Sequence, residues 1–501
     1  MEKKRKLTEY ISLLESKGLI SDIKAGPEEL DKQVGYISYD SRDVREGTLF
    51  VCKGAHFSKE YLKGAISGGA FAYISEEAYE LEGAECPHII VNDMRKAMAY
   101  MAGLYYDNVW RRLKLIGITG TKGKSTTVYF MKYILDDYLE KSGKPKSAVI
   151  SSIDTYDGVI NEESHITTPE AMALHRHFYN AAESGIEFLS MEASSQGFKY
   201  DRTLGVVFDA GCFLNIDEDH ISAIEHSDFE DYFSSKLLLF KQCRTACVNL
   251  GSRHLDRILE CAGENAPKVI TFGLREEADV YGYDVKVKEE HIAFRVRTPG
   301  FDREFLMSMR GLFNVENALA AISVCCALGI PEEHIFSGLL KARVGGRMEV
   351  FKSPGRDLTV IVDYAHNRMS FEALFLSTLK EYPGQKIAIV CGCPGYKALG
   401  RRRELAEIAG KYAGKAFITE EDPGEEPVMN ICLEIAKYMA EQNLDHEIIV
   451  DREEAIKRAI DTAPDSSVVL VAAKGRETRQ KRGLEYVETV SDVECVEKFL
   501  K

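Results

Sequence analysis

One stretch constrains the fold of this chain more than any other, because it joins a buried strand to a helix through a loop with two glycines. The apolar run at residues 113–118 predicts a strand, and the apolar spacing at residues 128–135 predicts a helix. Glycines in such a loop let backbone N–H groups approach an anion, and the N-terminus of the next helix adds positive potential. The stretch therefore predicts a phosphate-binding loop within an α/β fold.

The side chains of this loop suggest how it would hold a nucleotide. Lys124 would reach the terminal phosphates, and the hydroxyl of Ser125 would bind Mg²⁺. The spacing departs from the general P-loop pattern, since Gly117 lies six residues before Gly123, so only the Gly-Lys-Ser end matches. The alternative is a Gly-Lys-Ser-Thr sequence that merely begins a surface helix, and the preceding strand argues against it. The predicted cradle comprises Gly120, Thr121, Gly123, Lys124, Ser125 and Thr126.

Length and charge exclude several classes of protein. With 501 residues the chain is too long for one ordinary core, so about two to four domains are expected. The formal net charge of -15 argues against a general nucleic-acid binder, which needs a positive surface. There is no signal-peptide pattern and no run of about 18 apolar residues, and the 12 cysteines are scattered. We therefore expect a cytoplasmic protein without membrane insertion or nucleic-acid partners.

The order of predicted strands and helices divides the chain into three α/β domains, at residues 1–96, 97–344 and 345–501. The second is built around the phosphate loop, as a P-loop-type ATPase sheet. The third alternates strands and helices in the manner of a doubly wound, dinucleotide-fold-like domain. Its strands are predicted at residues 359–362, 386–390, 416–418, 447–450 and 468–471.

Two predicted strands of the second domain lead to side chains that can bind a metal. The strand at residues 186–191 leads to Glu192, and the strand at residues 209–214 leads into a loop that contains His220. Ligands meet parallel α/β sheets at the carboxyl ends of the strands, and Mg²⁺ prefers carboxylate oxygens beside substrate phosphates. Glu192 near Ser125 is therefore a candidate magnesium ligand. For His220, an ordinary hydrogen-bonded loop histidine is the alternative, because imidazole is an unusual partner for Mg²⁺.

Taken together, these motifs resemble the Mur ligases. The loop has that family's Gly-x-x-Gly-Thr-x-Gly-Lys-Ser/Thr spacing, which accounts for its departure from the general pattern. The match extends in order over almost the whole chain. Further matching segments are residues 40–42, 167–169, 191–195, 215–220, 234–236, 313–317, 346–349, 363–366 and 474–477.

The resemblance implies an ATP-dependent amide ligase with a UDP-binding N-terminal domain, a central ATPase and a C-terminal amino-acid domain. ATP would phosphorylate the D-glutamyl carboxylate of UDP-MurNAc-L-Ala-D-Glu, and the amine of a free amino acid would attack the acyl phosphate. Moving a phosphoryl group between anions requires cations, so Lys124, Ser125 and Glu192 would serve one Mg²⁺ and His220 a second. The family also implies that Lys236 carries CO₂ as a carbamate, because an ammonium would repel Mg²⁺. Without the resemblance, Lys236 is an ordinary solvated cation.

The resemblance assigns further contacts to the nucleotide and to the UDP-linked substrate. Two of these assignments have plain alternatives, because the triplet at residues 40–42 is also typical of a turn and Arg347 of a surface ion pair. The expected nucleotide contacts are Asn314, Asn317, Arg347 and Asp363. The expected UDP contacts are Ser41 and Arg42, and those for the MurNAc-dipeptide are Thr167, Thr168, Ser194 and Arg202.

The third-domain loop at residues 420–426 bears on which amino acid is added. Relatives that add meso-diaminopimelate carry an arginine for its extra carboxylate, and Gly424 stands at that position here. The acidic loop would instead favour a cationic side chain, with L-lysine as the best guess, ornithine or meso-diaminopimelate as alternatives, and a merely solvated loop as the plain reading. Asp422 is an expected substrate contact, Lys397 stands where the family has an arginine for the α-carboxylate, and Glu477 is expected near the amine.

Two other functions share parts of this pattern. A folylpolyglutamate synthetase has the same central and C-terminal architecture, but the N-terminal segment at residues 40–42 favours a UDP substrate. A non-catalytic relative that regulates by binding nucleotide is disfavoured, because Lys124, Glu192, His220 and Lys236 are all present. We expect a monomer.

Overall fold

The computed structural model describes residues 4–500, except residues 55–56, 82–85, 165, 219–220 and 222–224. Three large sheets follow one another along the chain, with strands within residues 20–91, 114–307 and 349–472. We refer to these parts as the first, central and third units. The predicted three-part α/β architecture is confirmed, while the domain boundaries stay a prediction. The helix Met94–Tyr105 crosses the predicted boundary between residues 96 and 97. It packs against helices of both the first and the central unit.

The first unit is a five-stranded sheet covered by helices. Its strand order is β2-β7-β6-β5-β4, with β2 antiparallel to β7 and the other neighbours parallel. The apolar side chains of Leu49, Val51, Ile74 and Ile89 form part of the buried core. In chain order the elements are β1 (Arg5–Lys6), α1 (Leu7–Ser16), β2 (Ile20–Lys24), α2 (Pro27–Leu30), β3 (Gln33–Val34), β4 (Tyr36–Ser38), β5 (Thr48–Val51), α3 (Lys59–Ser67), β6 (Ala70–Ser75), β7 (His88–Val91) and α4 (Met94–Tyr105).

The central unit contains one eleven-stranded sheet, in the order β11-β10-β9-β12-β8-β13-β14-β15-β16-β17-β18. Strands β9 to β16 in this order are parallel, and antiparallel strands extend both edges. The elements are β8 (Lys114–Thr119), α5 (Lys124–Lys141), β9 (Ala148–Ile150), β10 (Asp154–Tyr156), β11 (Asn161–Glu163), α6 (Ala171–Glu183), β12 (Phe188–Glu192), α7 (Ser195–Lys199), β13 (Phe208–Phe213), α8 (Phe229–Leu237), β14 (Cys243–Asn249), α9 (Leu255–Asn265), β15 (Lys268–Gly273), β16 (Val280–Val287), β17 (Ile292–Arg297), β18 (Asp302–Met307), α10 (Asn314–Leu328) and α11 (Glu332–Lys341), with 3₁₀ turns at Val109–Arg112 and Leu238–Gln242.

The third unit is a six-stranded sheet with helices on both faces. Its order is β19-β20-β24-β21-β22-β23, and all neighbours are parallel except the edge pair β19 and β20. A separate hairpin, β25 and β26, follows the last sheet strand. The elements are β19 (Glu349–Lys352), β20 (Leu358–Asp363), α12 (Arg368–Glu381), β21 (Lys386–Cys391), α13 (Gly400–Tyr412), β22 (Lys415–Ile418), α14 (Val428–Glu441), β23 (Asp445–Ile448), α15 (Arg452–Thr462), β24 (Ser467–Ala472), β25 (Arg479–Arg482), β26 (Glu485–Glu488) and α16 (Asp492–Phe499).

Helix α5 follows the phosphate loop and is buried against other helices, which holds the end of the loop in place. It packs between α10 and α11, and its residues Val128, Phe130 and Ile134 are fully buried. Helix α11 approaches so closely that a Cβ at Gly338 would overlap the backbone of Ile134. Burial on several sides stabilises α5, since each large apolar side chain contributes about 1.5–3 kcal/mol when removed from water. Among the described residues, none of the helices has both the length and the apolar character to span a bilayer.

Candidate active site

The phosphate loop runs from the carboxyl end of β8 to the first turn of α5. Gly120 and Gly123 adopt the left-handed backbone region, with φ of 154° and 87°, which glycine takes more easily than other residues. A Cβ at Gly123 would also overlap Oδ1 of Asn317. The side chain of Asn215 braces the loop, because it accepts from the N–H of Lys122 at 2.9 Å and donates to its carbonyl at 3.1 Å. The predicted loop therefore forms at the predicted place.

Two lysines from different helices reach this loop. The Nζ of Lys124 donates to the carbonyl oxygens of Gly120 and Thr121, at 3.0 and 3.2 Å. Lys236, on α8, is 2% exposed, and its Nζ donates to the carbonyl of Gly120 at 3.0 Å. The same Nζ lies 4.7 Å from the ring centre of Tyr232. The structure thus brings Lys236 to the phosphate loop and keeps it out of solvent.

A row of oxygen atoms connects the loop to Glu192. The hydroxyl oxygens of Ser125 and Ser152 lie 3.2 Å apart, and the hydroxyl and N–H of Ser152 donate to Oε1 of Glu192 at 3.0 and 2.8 Å. Glu192, the last residue of β12, is 1% exposed. A hydroxyl and a carboxylate beside a phosphate loop are donors of the kind that Mg²⁺ prefers, so these residues fit that ion. His220, the further predicted ligand, lies outside the described residues.

The turn that follows β12 gathers the residues expected at the MurNAc-dipeptide. The hydroxyl of Thr168 donates to the carbonyl of Glu192 at 2.9 Å and accepts from the N–H of Ser194 at 3.0 Å. The guanidinium of Arg202 donates to the carbonyl of Thr168 at 2.9 Å. Thr167 precedes this cluster and is partly exposed. The structure therefore brings three predicted substrate residues to the strand end that also carries Glu192.

Glu170 connects this turn to the first unit. Its carboxylate accepts from Lys53 at 2.5 Å and pairs with Arg202 at 2.8 Å. Burial acts to raise the pKa of the Glu170 carboxyl, but Lys53 and Arg202 together hold that pKa below its usual value. The Nζ of Lys53 also lies 4.8 Å from the ring centre of Tyr39. The first unit therefore contacts the central one beside the predicted substrate residues.

The predicted UDP contacts lie at the surface of the first unit, in the turn after β4. Arg42 has an exposed guanidinium that binds both carboxylate oxygens of Asp40, at 2.9 and 2.7 Å. These hydrogen bonds lower the pKa of the Asp40 carboxyl to about 2. Ser41 is partly exposed between them. The residues Asp40, Ser41 and Arg42 thus form an ordinary turn, in which the guanidinium of Arg42 is exposed to solvent.

A cleft of about 540 Å³ opens between the central and third units. Thr126, Asn314 and Asn317 line it from the central unit, and Arg347 and Asp363 line it from the third. The amide of Asn317 donates to the side-chain oxygen of Asn314 at 2.9 Å. Asn314, Asn317, Arg347 and Asp363 therefore converge on one cleft with part of the phosphate loop, although they come from distant parts of the sequence. The other predicted nucleotide residues, Gly120, Thr121, Lys124 and Ser125, do not line it.

The third unit supplies a charged edge to this cleft. Lys122 Nζ lies 3.4 Å from Nε2 of His366, whose Nδ1 donates to the carbonyl of Tyr364 at 2.8 Å, so Nε2 is the accepting nitrogen. The guanidinium of Arg347 lies 4.4 Å from the ring centre of Tyr364. Burial raises the pKa of the Asp363 carboxyl, and Arg347 acts in the opposite direction. The phosphate loop and the third unit are thus in direct contact through Lys122 and His366.

The expected amino-acid contacts form a second charged group in the third unit. The carboxylate of Asp422 pairs with Lys474 at 3.0 Å and accepts from the N–H of Lys481 at 2.8 Å. Lys474 also pairs with Glu477 at 2.6 Å, and Glu477 accepts from the hydroxyl of Tyr364 at 2.6 Å. Burial acts to lower the pKa of the Lys474 ammonium, but Glu477 and Asp422 raise it above its usual value. Asp422 and Glu477 are therefore bridged by one buried ammonium.

Lys397 takes a different position from the other predicted substrate residues. It is exposed, in the loop between β21 and α13. That loop reaches the Asp422 segment through the backbone, because the N–H of Gly395 donates to the carbonyl of Asp422 at 3.2 Å. The side chain of Lys397 makes no ion pair or hydrogen bond within the described part of the chain. The structure thus brings its backbone near the group without joining its ammonium to it.

The acidic loop at residues 420–426 is less acidic in the structure than in the sequence. Glu421 differs from its neighbours, since it is 7% exposed and its Oε2 has no hydrogen-bond partner among the described residues. Burial raises the pKa of the Glu421 carboxyl to about 8. Because a carboxyl with this pKa is mostly protonated at neutral pH, Glu421 adds little negative charge to the loop unless a cation binds beside it. The other buried or half-buried carboxylates bind cations of the chain: Glu420 with Arg482, Asp422 with Lys474, and Glu426 with Arg402.

Sequence analysis missed Ser152, Glu170 and Glu421 as functional candidates. Ser152 follows β9, a short strand parallel to β12, and a prediction of β9 would have placed it at the same sheet edge as Glu192. Glu170 directly follows the Thr-Thr-Pro segment at residues 167–169, whose two threonines are predicted substrate contacts. Nothing in the sequence separates Glu421 from the other acids of its loop, because the distinction lies in ion pairs with distant residues.

Two protein-family models match this chain. The model described as "Mur ligase middle domain" matches residues 118–325, which contain the phosphate loop, Glu192 and Lys236. The model described as "Mur ligase, glutamate ligase domain" matches residues 346–475, which contain Arg347, Asp363 and the acidic loop.

Curated relatives match over nearly the full length. UDP-N-acetylmuramoyl-L-alanyl-D-glutamate--L-lysine ligase of Streptococcus thermophilus is 36% identical over 470 residues, covering 93% of this chain and 92% of that protein. UDP-N-acetylmuramyl-tripeptide synthetase of Bifidobacterium longum is 37% identical over 487 residues, covering 94% and 92%. Among solved structures, a UDP-N-acetylmuramoyl-L-alanyl-D-glutamate--2,6-diaminopimelate ligase has the same fold, with a TM-score of 0.68 at 23% identity over 99% of both chains.

Proposed function

The chain belongs to the Mur ligase family, and we propose that it is an ATP-dependent ligase that adds L-lysine to UDP-MurNAc-L-Ala-D-Glu. The observation that carries this proposal is the cleft in which the phosphate loop faces Arg347 and Asp363 of the third unit. Curated relatives over 90% of the chain bear the names of lysine-adding or tripeptide-forming enzymes, which supports the same substrates here.

The chemistry requires that a carboxylate become electrophilic. The γ-phosphoryl group of ATP passes to the D-glutamyl carboxylate, which gives an acyl phosphate and ADP. The neutral amine of the amino acid then attacks the acyl carbon, and an amide forms as phosphate leaves and the amine gives up its proton. Because both reactants of the first step are anions, catalysis rests on positioning and on positive charge.

The residues at the phosphate loop match this need. Lys124 provides an ammonium beside the backbone cradle, where it would neutralise the terminal phosphates. Asn314 and Asn317 would hold the adenine side, and Arg347 and Asp363 would close the nucleotide site from the third unit. Ser125 and Glu192, with His220, would hold Mg²⁺. That ion would add positive charge at the transferring phosphoryl group.

Lys236 would have a different chemical form in the active enzyme. We infer that its amine is carbamylated in the active enzyme, which would turn a buried cation into an oxygen ligand for the second magnesium. Its burial against the phosphate loop supports this role. We propose that the protein acts as a monomer in the cytoplasm, where the UDP-linked dipeptide would be available, and that nucleic acids are not among its partners.

The preference for lysine rests on the acidic loop. Gly424 leaves no guanidinium for a second carboxylate, which disfavours meso-diaminopimelate. Since the other buried carboxylates already bind cations of the chain, Glu421 is the group that an incoming side-chain ammonium would satisfy. An ammonium near Glu421 would favour its ionised form, because an opposite charge lowers the pKa of a carboxyl.

The test is ADP release from ATP with UDP-MurNAc-L-Ala-D-Glu and a panel of lysine, ornithine, meso-diaminopimelate and alanine. We expect release with lysine above the others, and a product whose mass corresponds to one added lysine. Release with meso-diaminopimelate alone would overturn the assignment of the amino acid. No release with any amine would contradict the ligase itself and favour a nucleotide-binding regulator.

A further inference from the structure

A cavity of about 290 Å³ lies at the amino ends of three neighbouring parallel strands of the central unit, β8, β13 and β14. The phosphate loop follows the opposite, carboxyl end of β8. Because β8 has six residues and a strand rises about 3.3 Å per residue, roughly 17 Å separate the cavity from the loop. We call this space the rear cavity, and it is distinct from the candidate active site.

Four cationic side chains and one carboxylate border the rear cavity. The cations are those of Arg111, Arg112, Lys114 and Arg244, and the carboxylate is that of Asp209. The whole chain has a formal net charge of -15, so this local excess of positive charge does not follow from composition. Positive charge gathered around a concave space attracts a small anion.

The single carboxylate leaves most of this charge uncompensated. Lys114 and Arg244 both approach Oδ1 of Asp209, at 3.6 and 3.7 Å, which is longer than a hydrogen bond. The other oxygen of Asp209 accepts from the N–H of Leu115 at 3.0 Å. Both cationic side chains are more than half exposed, so each can turn toward a ligand. Two cations thus share one acid loosely.

The two arginines at the end of the 3₁₀ turn are held to different degrees. Arg112 pairs with Glu183 at 2.7 Å. Arg111 is exposed and pairs with no carboxylate within the described part of the chain, and its guanidinium lies 5.3 Å from the ring centre of Trp110. A guanidinium presents N–H donors in a planar fork that matches two oxygens of a phosphoryl group. Arg111 is therefore available for such a ligand.

We propose that the rear cavity binds a small anion that carries phosphoryl groups, either free pyrophosphate or the phosphate of an organic ester. Arg111 and Arg244 would donate to its oxygens, and Lys114 would add positive charge. A phosphoryl group has several accepting oxygens and up to two negative charges, so it can satisfy more than one of these cations at once. The inference does not depend on the proposed ligase reaction, because none of these residues belongs to the candidate active site.

Trp110 provides a local measurement, because it lines the rear cavity and is the only tryptophan among the 501 residues. Titration with pyrophosphate in magnesium-free buffer should change its fluorescence in a saturable way. Ribose 5-phosphate is titrated in parallel, and the tighter of the two probes identifies the kind of phosphate that is bound. Sodium chloride at equal ionic strength should not reproduce the change. The response should persist in Gly123→Ala, in which the added Cβ would overlap Asn317 at the phosphate loop.

Charge variants test which side chains bind the anion. Arg111→Gln combined with Arg244→Gln should raise the Kd for pyrophosphate at least about tenfold, because two charge-assisted hydrogen bonds are lost. Asp209→Asn keeps an oxygen for the N–H of Leu115 but removes the opposing charge, so the Kd should fall about threefold. Arg275→Gln removes an exposed arginine that follows the carboxyl end of β15, and it is the matched control that should keep the wild-type Kd.

Calorimetric titration of the same proteins detects binding that leaves the fluorescence unchanged. Wild-type protein that binds neither probe by either measurement would overturn the inference. An unchanged Kd in the double arginine variant would overturn it as well. Equal weakening by Arg275→Gln would mean that the anion is attracted by overall charge, and it would overturn the inference for the same reason.

Discussion

Lys124 and Lys236 stand on different helices, yet each donates to the same backbone oxygen, the carbonyl of Gly120, at 3.0 Å. Two ammonium groups on one acceptor repel each other, and burial of Lys236 strengthens that repulsion because the surroundings screen charge poorly. Either the phosphates of a nucleotide or a carbamate on Lys236 would relieve it. The phosphate loop is therefore charged in a way that favours an anion.

Lys236→Ala tests whether the reaction needs a carbamate on Lys236. We expect this variant to lose ligase activity, because no carbamate can form, and small carboxylates such as formate or acetate should partly restore it by supplying the missing oxygens. ADP release with and without these acids is the measurement. Lys241→Ala, at an exposed position shortly after α8, is the control and should remain active. Full activity in the unsupplemented Lys236 variant would contradict the role.

Ser152→Ala tests the connection between Ser125 and Glu192. The variant removes the hydroxyl but keeps the backbone N–H that donates to Glu192. Groups that orient a metal ligand typically change metal affinity 10–100-fold, so we expect about tenfold more Mg²⁺ for half-maximal ADP release. Ser147→Ala removes a buried hydroxyl at the other end of β9, where it bonds to Asp136, and should leave the magnesium requirement unchanged. An unaltered requirement in the Ser152 variant would contradict this arrangement.

The strongly apolar elements of the fold could be predicted from sequence. The strand expected at residues 113–118 is Lys114–Thr119, and the helix expected at residues 128–135 lies within Lys124–Lys141. The edge strands could not be predicted in the same way. Strand β11, with sequence Asn-Glu-Glu, is fully exposed and has no alternation of apolar residues, since it exists through its pairing with β10. Pairing of that kind is a tertiary property.

The same distinction applies to the candidate site, where some residues could be predicted from a local sequence pattern and others could not. Lys124 and Glu192 follow from a local pattern, a glycine loop and a strand end. The ion pair between Glu420 and Arg482 joins residues 62 positions apart, and no local pattern indicates it. For this reason the sequence indicates one charged surface, whereas Glu420, Asp422 and Glu426 are each paired with a cation from another part of the chain.

Glu421→Gln tests which carboxylate recognises the side-chain ammonium. The variant keeps the shape of the side chain but cannot ionise, so we expect the preference for lysine over norleucine to fall about tenfold or more, while activity with norleucine stays similar. Competition between the two amino acids in the ligase assay is the measurement. Glu425→Gln changes an exposed acid of the same loop and should keep the preference. A retained preference in the Glu421 variant would assign recognition to another group.

Gly123→Ala should abolish nucleotide binding. The residue has a φ of 87°, and an added Cβ would overlap Oδ1 of Asn317, which lies on helix α10 beside the phosphate loop. Gly143→Ala is a matched control, because Gly143 also has a positive φ, of 63°, but a Cβ there would have no neighbour within 4 Å. Binding of a fluorescent ATP analogue should disappear in the first variant and persist in the second. Binding at wild-type affinity in Gly123→Ala would show that this loop does not hold the phosphates.

His175 should make the stability of the protein depend on pH. It lies on α6, is 1% exposed, and neither ring nitrogen has a hydrogen-bond partner among the described residues. Burial lowers the pKa of its imidazole to about 3. Between that value and the ordinary pKa of about 6.5, the unfolded chain binds a proton that the folded chain does not, so this group favours the folded state fully above pH 6.5 and progressively less as the pH falls.

Replacing His175 by methionine should remove this dependence. Wild-type protein is expected to lose up to about 1.4 kcal/mol in the free energy of unfolding per pH unit between pH 6.5 and 5 through this one group. Urea unfolding at several pH values would show a shallower decline in His175→Met, since other titrating groups act equally on both proteins. His291→Gln, at a partly exposed histidine just before β17, should keep the wild-type slope. Parallel declines for wild type and His175→Met would mean that the buried imidazole contributes nothing to acid sensitivity.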